Sequence, residues 1–182
     1  TINGRLFLTD IDWNDETGAP EPHTRELAGE WLDEDPAMYT PVLNPRIAPD
    51  GEHVLYTTGS YLMLVDIGGE LGDRITAVYG VSVEDEDGNP AENTWKIGLA
   101  EFVAGEEMDR YDGFWWAPDS QHVLFESFDT ADEPTWYISD PADPEKPDAG
   151  RRYPRALTRN ADVYLTVITL AFDENDRYAG IT

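Results

Sequence analysis

Two segments of the chain align residue for residue without a gap: APDGEHVLY at 48–56 and, 69 residues on, APDSQHVLF at 117–125. Each is a Pro-Asp-Gly or Pro-Asp-Ser turn running into apolar residues of high β-propensity, which is how a turn entering a strand reads. After the first turn, HVLYTTGSYLMLVDI reads as two strands joined through Thr58-Gly59-Ser60. After the second, HVLFESFDTADEPTWYISD reads as two strands joined through a longer acidic loop. A turn, a strand, a hairpin and another strand recurring at a fixed place is a propeller blade written in one dimension. The offset exceeds the roughly 40–50 residues of a simple blade, so an insertion must lie between the copies. The expectation is an all-β chain, a partial β-propeller of antiparallel blades.

Two stretches supply the insertion. An apolar strand ITAVYGVSV (75–83) leads into the charged EDEDGNPAEN (84–93), where Asp87-Gly88-Asn89-Pro90 signals a turn, and then into TWKIGLAEF. In EFVAGEEMDRYDGFWWAPDS (101–120), Leu99, Phe102, Val103, Glu106 and Arg110 fall at helical intervals between Gly98 and Gly113. The spacing predicts a short helix over 99–110. Downstream, the Pro- and Asp-rich 139–152 reads as a loop and VYLTVITLAF as a buried strand, followed by the turn Asp173-Glu174-Asn175-Asp176. The chain stops at Thr182 shortly after a new strand would begin, so the domain reads as cut. Residues 1–45 are read as a strand RLFLTDIDW, a polar loop, and a helix TRELAGEWL with Thr24 as N-cap.

Charge narrows the partners. With 38 Asp and Glu against 12 Lys and Arg, the formal charge of −26 repels nucleic-acid phosphates and anionic lipid and attracts cations, amines among them. Neither nucleic acid nor a membrane is an expected partner. Aromatics make up 12% of the chain, which places the acidity on the surface of a packed protein rather than in a disordered tail. There are no cysteines, which excludes disulfides, thiolate chemistry and Cys-based zinc sites. No run approaches the roughly 20 apolar residues of a bilayer span. The expected compartment is the cytoplasm, and no cofactor or metal is expected.

Several motifs yield to plainer readings. An EF-hand register with Gly88 in sixth place would put Val83 first and Thr94 twelfth, neither a carboxylate, so 84–89 reads as a solvated hairpin tip. His53 and His122 occupy the same place in the two repeats, as a blade-forming role requires; His23 lies apart. No G-x-S-x-G occurs, so the chain holds no serine nucleophile elbow. Trp115 and Trp116, before a Pro-Asp turn, read as one ring turned inward and one outward. Glu106 and Glu107 are harder to dismiss. A solvated acidic face with Glu106 paired to Arg110 at i, i+4 is the plain reading. Held together near a helix end, two carboxylates would instead suit an ammonium group, with its three donors and full charge.

The stretch GLAEFVAGEEMDRYDGFWWAPD, with NPRIAPDGEHVLY before it and RRYPRALTRNADVYLTVITL after it, resembles the N-terminal β-propeller domain of dipeptidyl peptidase IV-type serine peptidases, of the prolyl oligopeptidase family. The likeness is greatest to the branch holding dipeptidyl peptidases eight and nine and bacterial relatives, and covers about 44–170. It implies that Glu106 and Glu107, on a helical insertion, bind the α-ammonium of a peptide substrate with a free N-terminus. It also implies that the Ser-Asp-His triad lies in a C-terminal α/β-hydrolase domain absent from this chain, so residues 1–182 are part of one propeller domain and hold no catalytic residue. The implied activity is release of N-terminal dipeptides, with Pro or Ala second. An Arg that holds the substrate carbonyl in the family has no match assigned here. The family's Tyr-Pro-(Arg/Lys)-x-Gly and Asn-Pro become Tyr153-Pro154-Arg155-Ala156-Leu157 and Asn160-Ala161, which unsettles that turn. A severed propeller leaves open strand edges, so a homo-oligomer is expected of the isolated chain. The alternative is a non-catalytic acidic β-module that binds glycan or protein partners through exposed aromatics.

Overall fold

The structure, a computed structural model, describes residues 1–68, 71–89, 91–139, 141–142 and 149–182. Pro90 of the turn at 87–90 and most of the acidic, proline-rich stretch 139–148 lie outside the described residues. Each copy of the repeat opens an antiparallel sheet. The first sheet runs in chain order through β3 (Leu43–Ile47), β4 (His53–Thr57), β5 (Tyr61–Asp66) and β6 (Arg74–Gly80). In the second, β7 (Trp95–Ile97) and β8 (Phe114–Trp116) share one edge of β9 (His122–Asp129), followed by β12 (Asp162–Phe172) and β13 (Tyr178–Ile181). The registers match as the repeat requires: Ile47 lies opposite Val54 as Trp116 lies opposite Val123.

The sheets stack face to face. Leu55, Leu62, Leu64 and Val78 of the first meet Ile97, Phe114, Val123, Phe125, Ile168 and Leu170 of the second in one apolar core. The other face of the first sheet, with Val54, Tyr56, Met63, Val65 and Ile75, is covered by an N-terminal unit through Leu6, Leu27 and Leu32. Because β4 is covered on both faces, all five of its residues are buried, and an uninterrupted apolar run serves it better than alternation. Two stacked four-position meanders are successive blades, and the chain is a partial β-propeller.

The blade seam carries polar ties as well. Ser120 takes the place of Gly51 in the second turn and adopts φ 59, a left-handed conformation that costs a serine energy. Its Oγ accepts the Asp50 N–H at 2.9 Å, joining the two turns. Trp116 Nε1 donates to Arg46 O at 3.2 Å. Buried Asp66 holds Arg74 at 2.7 Å and accepts the Tyr178 N–H at 3.2 Å, and Arg74 in turn donates to Tyr178 O at 2.7 Å. His53 Nε2 lies 2.8 Å from Asp176 O, with its ring 4.3 Å from that of Phe172, so this histidine ties one blade to the next. His122 bonds its own turn through Asp119 at 2.6 Å.

The N-terminal unit pairs β1 (Leu6–Trp13) with β2 (Pro20–Leu27), then forms α1 (Gly29–Glu34) and α2 (Pro36–Tyr39). The helix predicted from Thr24 begins only at Gly29, with Ala28 as its N-cap residue. Thr24 lies in β2, its hydroxyl 2.9 Å from that of Thr9, because pairing with β1 satisfies the backbone of 20–27 more fully than a helix end would. Asp73 latches this unit to the first blade, accepting from Arg25 at 2.7 Å and from the Ala28 N–H at 2.9 Å. Burial works against its ionised form, but these partners more than offset that and hold its carboxyl below the ordinary range.

Two further expectations change and one holds. The strand after β9 does not return to it. β10 (Thr135–Ile138) pairs with β11 (Ala149–Arg152) in a separate hairpin, so 149–152 is strand rather than loop, and β9 pairs instead with β12. Residues 84–89 form the solvated hairpin tip expected, exposed throughout, with the Asp85 N–H donating to Asn89 O at 2.8 Å, the Ala91 N–H to Val83 O at 2.9 Å, and Asp85 Oδ1 accepting the Asp87 and Asn89 N–H groups; the tip lies on the connection between two blades, since β6 and β7 belong to different sheets. β12 is buried only near its end. Leu165 and Val167 are 65% and 63% exposed, whereas the corresponding Leu62 and Leu64 of the first blade are fully buried by the second.

Candidate functional site

The helix expected between strands is α3 (Phe102–Met108), and it interrupts the first strand position of the second blade. β7 pairs with Ser127–Asp129 of β9 and β8 with Val123–Phe125, leaving Glu126 as the one residue between them. Everything from Gly98 to Gly113 departs and returns at that point. Glu126 O accepts the Gly98 N–H and Glu126 N–H donates to Gly113 O, each at 2.8 Å. Its buried side chain accepts the Glu101 N–H at 3.0 Å and holds Arg110 at 2.7 Å. One residue thus grips the insertion at four points.

The two glycines that bracket the insertion close its neck. A Cβ on Gly113 would lie 2.3 Å from the Leu99 carbonyl carbon, and one on Gly98, at φ 69, would lie 2.7 Å from Leu62 Cδ2. Backbone cannot yield as a side chain can. Gly113→Ala is therefore expected to destabilise the protein by about 2–3 kcal/mol or displace the insertion, read as a lowered midpoint in chemical denaturation. An unchanged midpoint would show that the neck is not so tight.

Within α3, the Glu101 side chain caps the start by accepting the Val103 and Ala104 N–H groups at 2.7 and 2.6 Å. Ala104 is the helix's buried residue. Asp109, at φ 55, ends it in left-handed conformation, and Arg110 N–H donates to Ala104 O at 3.0 Å. Glu106 and Glu107 stand in the last turn, both exposed, and among the described residues neither has a hydrogen-bond or ion-pair partner. The i, i+4 pair of Glu106 with Arg110 is not formed, because Arg110 turns to Glu126, to Asp112 O at 2.9 Å and over the Trp115 ring at 6.0 Å. No basic residue sits in the last turn, whose carbonyl ends add partial negative charge to the two carboxylates. Neither glutamate lines the clefts beside His53, Trp31, Phe102, Trp115 or Phe7.

Aromatic residues steady the surroundings. Trp116 packs on the core between the blades while Trp115 lies on the opposite face beside Leu124, Val163 and Leu165, the inward and outward split expected of the pair. Tyr153 meets Phe102 edge to face at 4.8 Å, joining the Tyr-Pro-Arg segment to α3. Leu157, where the resemblance has Gly, keeps a φ of 68, so the turn is retained at a steric cost. Beside Phe102 a cleft of about 400 Å³ holds Glu133, whose carboxyl burial pushes above the ordinary range. Sequence reasoning passed over Glu126, the central residue of the anchor; its only signal was a carboxylate directly after the apolar run Val123–Phe125.

Known proteins share this arrangement of strands. The family profile described as the dipeptidyl peptidase IV (DPP IV) N-terminal region matches residues 4–179. Dipeptidyl peptidase 8 of Homo sapiens is 24% identical over 145 residues, covering 74% of this chain and 16% of that protein. Its counterpart in Mus musculus is 24% identical over 141 residues, covering 72% of this chain and 15% of that protein. The chain thus spans about a sixth of the length of these relatives. The crystal structure of Porphyromonas gingivalis dipeptidyl peptidase 4 superposes with a TM-score of 0.59 at 18% identity, covering 95% of this chain and 25% of that one, a likeness of fold. Among the described residues no helix is long and apolar enough to cross a membrane.

Proposed function

Because the chain belongs to the dipeptidyl peptidase IV N-terminal region family, we propose that it is the substrate-recognising propeller part of a serine exopeptidase that releases N-terminal dipeptides, with Pro or Ala second. Glu106 and Glu107 receive the substrate's α-ammonium. The observation that carries this is the diversion of Arg110 to Glu126, which leaves both carboxylates without a counter-charge at the negative end of a helix. An ammonium supplies the missing charge and three donors. Anchoring the substrate by its N-terminus fixes the distance to the nucleophile, so cleavage falls after the second residue.

The remaining parts come from outside this chain. The nucleophile, its base and the orienting carboxylate belong to a hydrolase domain, and further blades of the same polypeptide cover Leu165 and Val167 as the second blade covers Leu62 and Leu64. A binding module without catalysis is the rival, favoured by the exposed Trp136 and Tyr137 on the hairpin of β10 and β11. The two separate on a single comparison in the full-length protein. N-terminal acetylation of a dipeptidyl substrate is expected to lower kcat/KM at least about a hundredfold, since it removes the charge and leaves two carboxylates unpaired. Equal turnover of blocked and free substrates would remove the ammonium receptor from the reading.

A further inference from the structure

Resting on Glu106 and Glu107 as the ammonium receptor, we infer that Arg110 and Glu126 are its positioning residues, an ion pair that sets where the α3 carboxylates stand and keeps them uncompensated. A seven-residue helix has no stability of its own in water, and α3 buries little beyond Ala104. Its place is therefore decided at its ends. Both ends lead to the Glu126 carboxylate, one through the Glu101 N–H at 3.0 Å and the other through Arg110 at 2.7 Å. Arg110 is fixed in turn by Asp112 O at 2.9 Å and the Trp115 ring, so its planar fork meets three partners in different directions. These contacts fix the last turn of α3, and the receptor pair with it.

The pair acts a second way. Arg110 lies four residues after Glu106, the spacing at which a helical Glu and Arg meet. Glu126 has only 2% of its side chain exposed, and a buried carboxylate keeps hold of its counter-ion far more firmly than a solvated one. Arg110 is thus withheld from Glu106. Weakening Glu126 both loosens α3 and releases a cation that competes with the substrate.

The test uses the full-length protein. Glu126→Gln keeps an oxygen for the Glu101 N–H but gives up the charge that holds Arg110. It is expected to raise KM for a dipeptidyl substrate with a free N-terminus by about tenfold, leaving hydrolysis of a small ester that has no ammonium unchanged. Adding Arg110→Met removes the released cation, so the double variant is expected to recover part of the KM. A purely structural role predicts no recovery. The inference is overturned by an unchanged KM in Glu126→Gln, by equal losses of ester and dipeptide turnover, or by a double variant no better than the single. Glu106→Gln with Glu107→Gln runs in parallel: an unimpaired pair variant sinks the receptor reading itself, whereas an impaired one beside a normal Glu126→Gln sinks only the positioning role.

Discussion

Glu106→Gln combined with Glu107→Gln is expected to lower kcat/KM for dipeptidyl substrates of the full-length protein by on the order of a hundredfold or more, with ester hydrolysis preserved. A hydrogen bond to a charged group contributes about 1.5–3 kcal/mol, and two such bonds to one ammonium exceed the roughly 2.7 kcal/mol that a hundredfold represents. Gln keeps the size and one acceptor oxygen, so the loss reports charge rather than shape. The single variants should fall short of half the effect in logarithmic terms, because the remaining carboxylate pairs with the ammonium alone. The division between constants is informative too. If the receptor only adds affinity, KM rises and kcat holds; if it also sets the reach to the nucleophile, kcat falls with it. Turnover unchanged by the double replacement would leave the two glutamates as a solvated face.

The second large effect concerns the blade seam. Asp66→Ala is expected to cost about 3–5 kcal/mol of stability, measured as a lowered midpoint in urea denaturation, because it strands a partly buried cation and a backbone donor at once. Asp66 accepts from Arg74 and from the Tyr178 N–H, and lies 3.6 Å from His53 Nε2. These groups belong to two blades, so their loss opens the seam rather than one strand. Asp66→Asn is the milder companion, since its amide oxygen still takes one donor. A shift in midpoint no greater than that of a surface replacement would mean that the apolar contacts of the seam hold the blades together unaided.

Much of this architecture is legible in the residues because it repeats. The turns at Pro49-Asp50-Gly51 and Pro118-Asp119-Ser120 announce β4 and β9, and the glycines at 98 and 113 bracket the helix that carries the glutamates. Local signals suffice there because the structure is local. What fails is what pairing decides. β10, Thr-Trp-Tyr-Ile, has the β-propensity of a blade strand, but β9 takes β12 as its neighbour, a partner more than thirty residues along the chain. Residues 24–32 have helical spacing in part, and a strand partner from Leu6–Trp13 claims the first four. The apolar β12 looked buried, and half of it would be so only beneath another blade. At the site, Glu106 and Arg110 display the spacing of a pair, and the competing partner Glu126 lies sixteen residues past Arg110, where no short-range rule can weigh it.

The neck at Gly98 and Gly113 separates two things that evolution could otherwise change only together. The blade below it senses only the legs of the excursion, bridged at Leu99 and Asp112, and not the length of what they carry. Adding one helical turn to α3 would move its carboxylates by about 5.4 Å, more than the roughly 3.3 Å that one residue of extended peptide spans. On the proposed role of Glu106 and Glu107, the insertion is a ruler mounted on a fixed frame: its graduation can be recut, altering how many residues are counted from the amine, while the frame stays as it is.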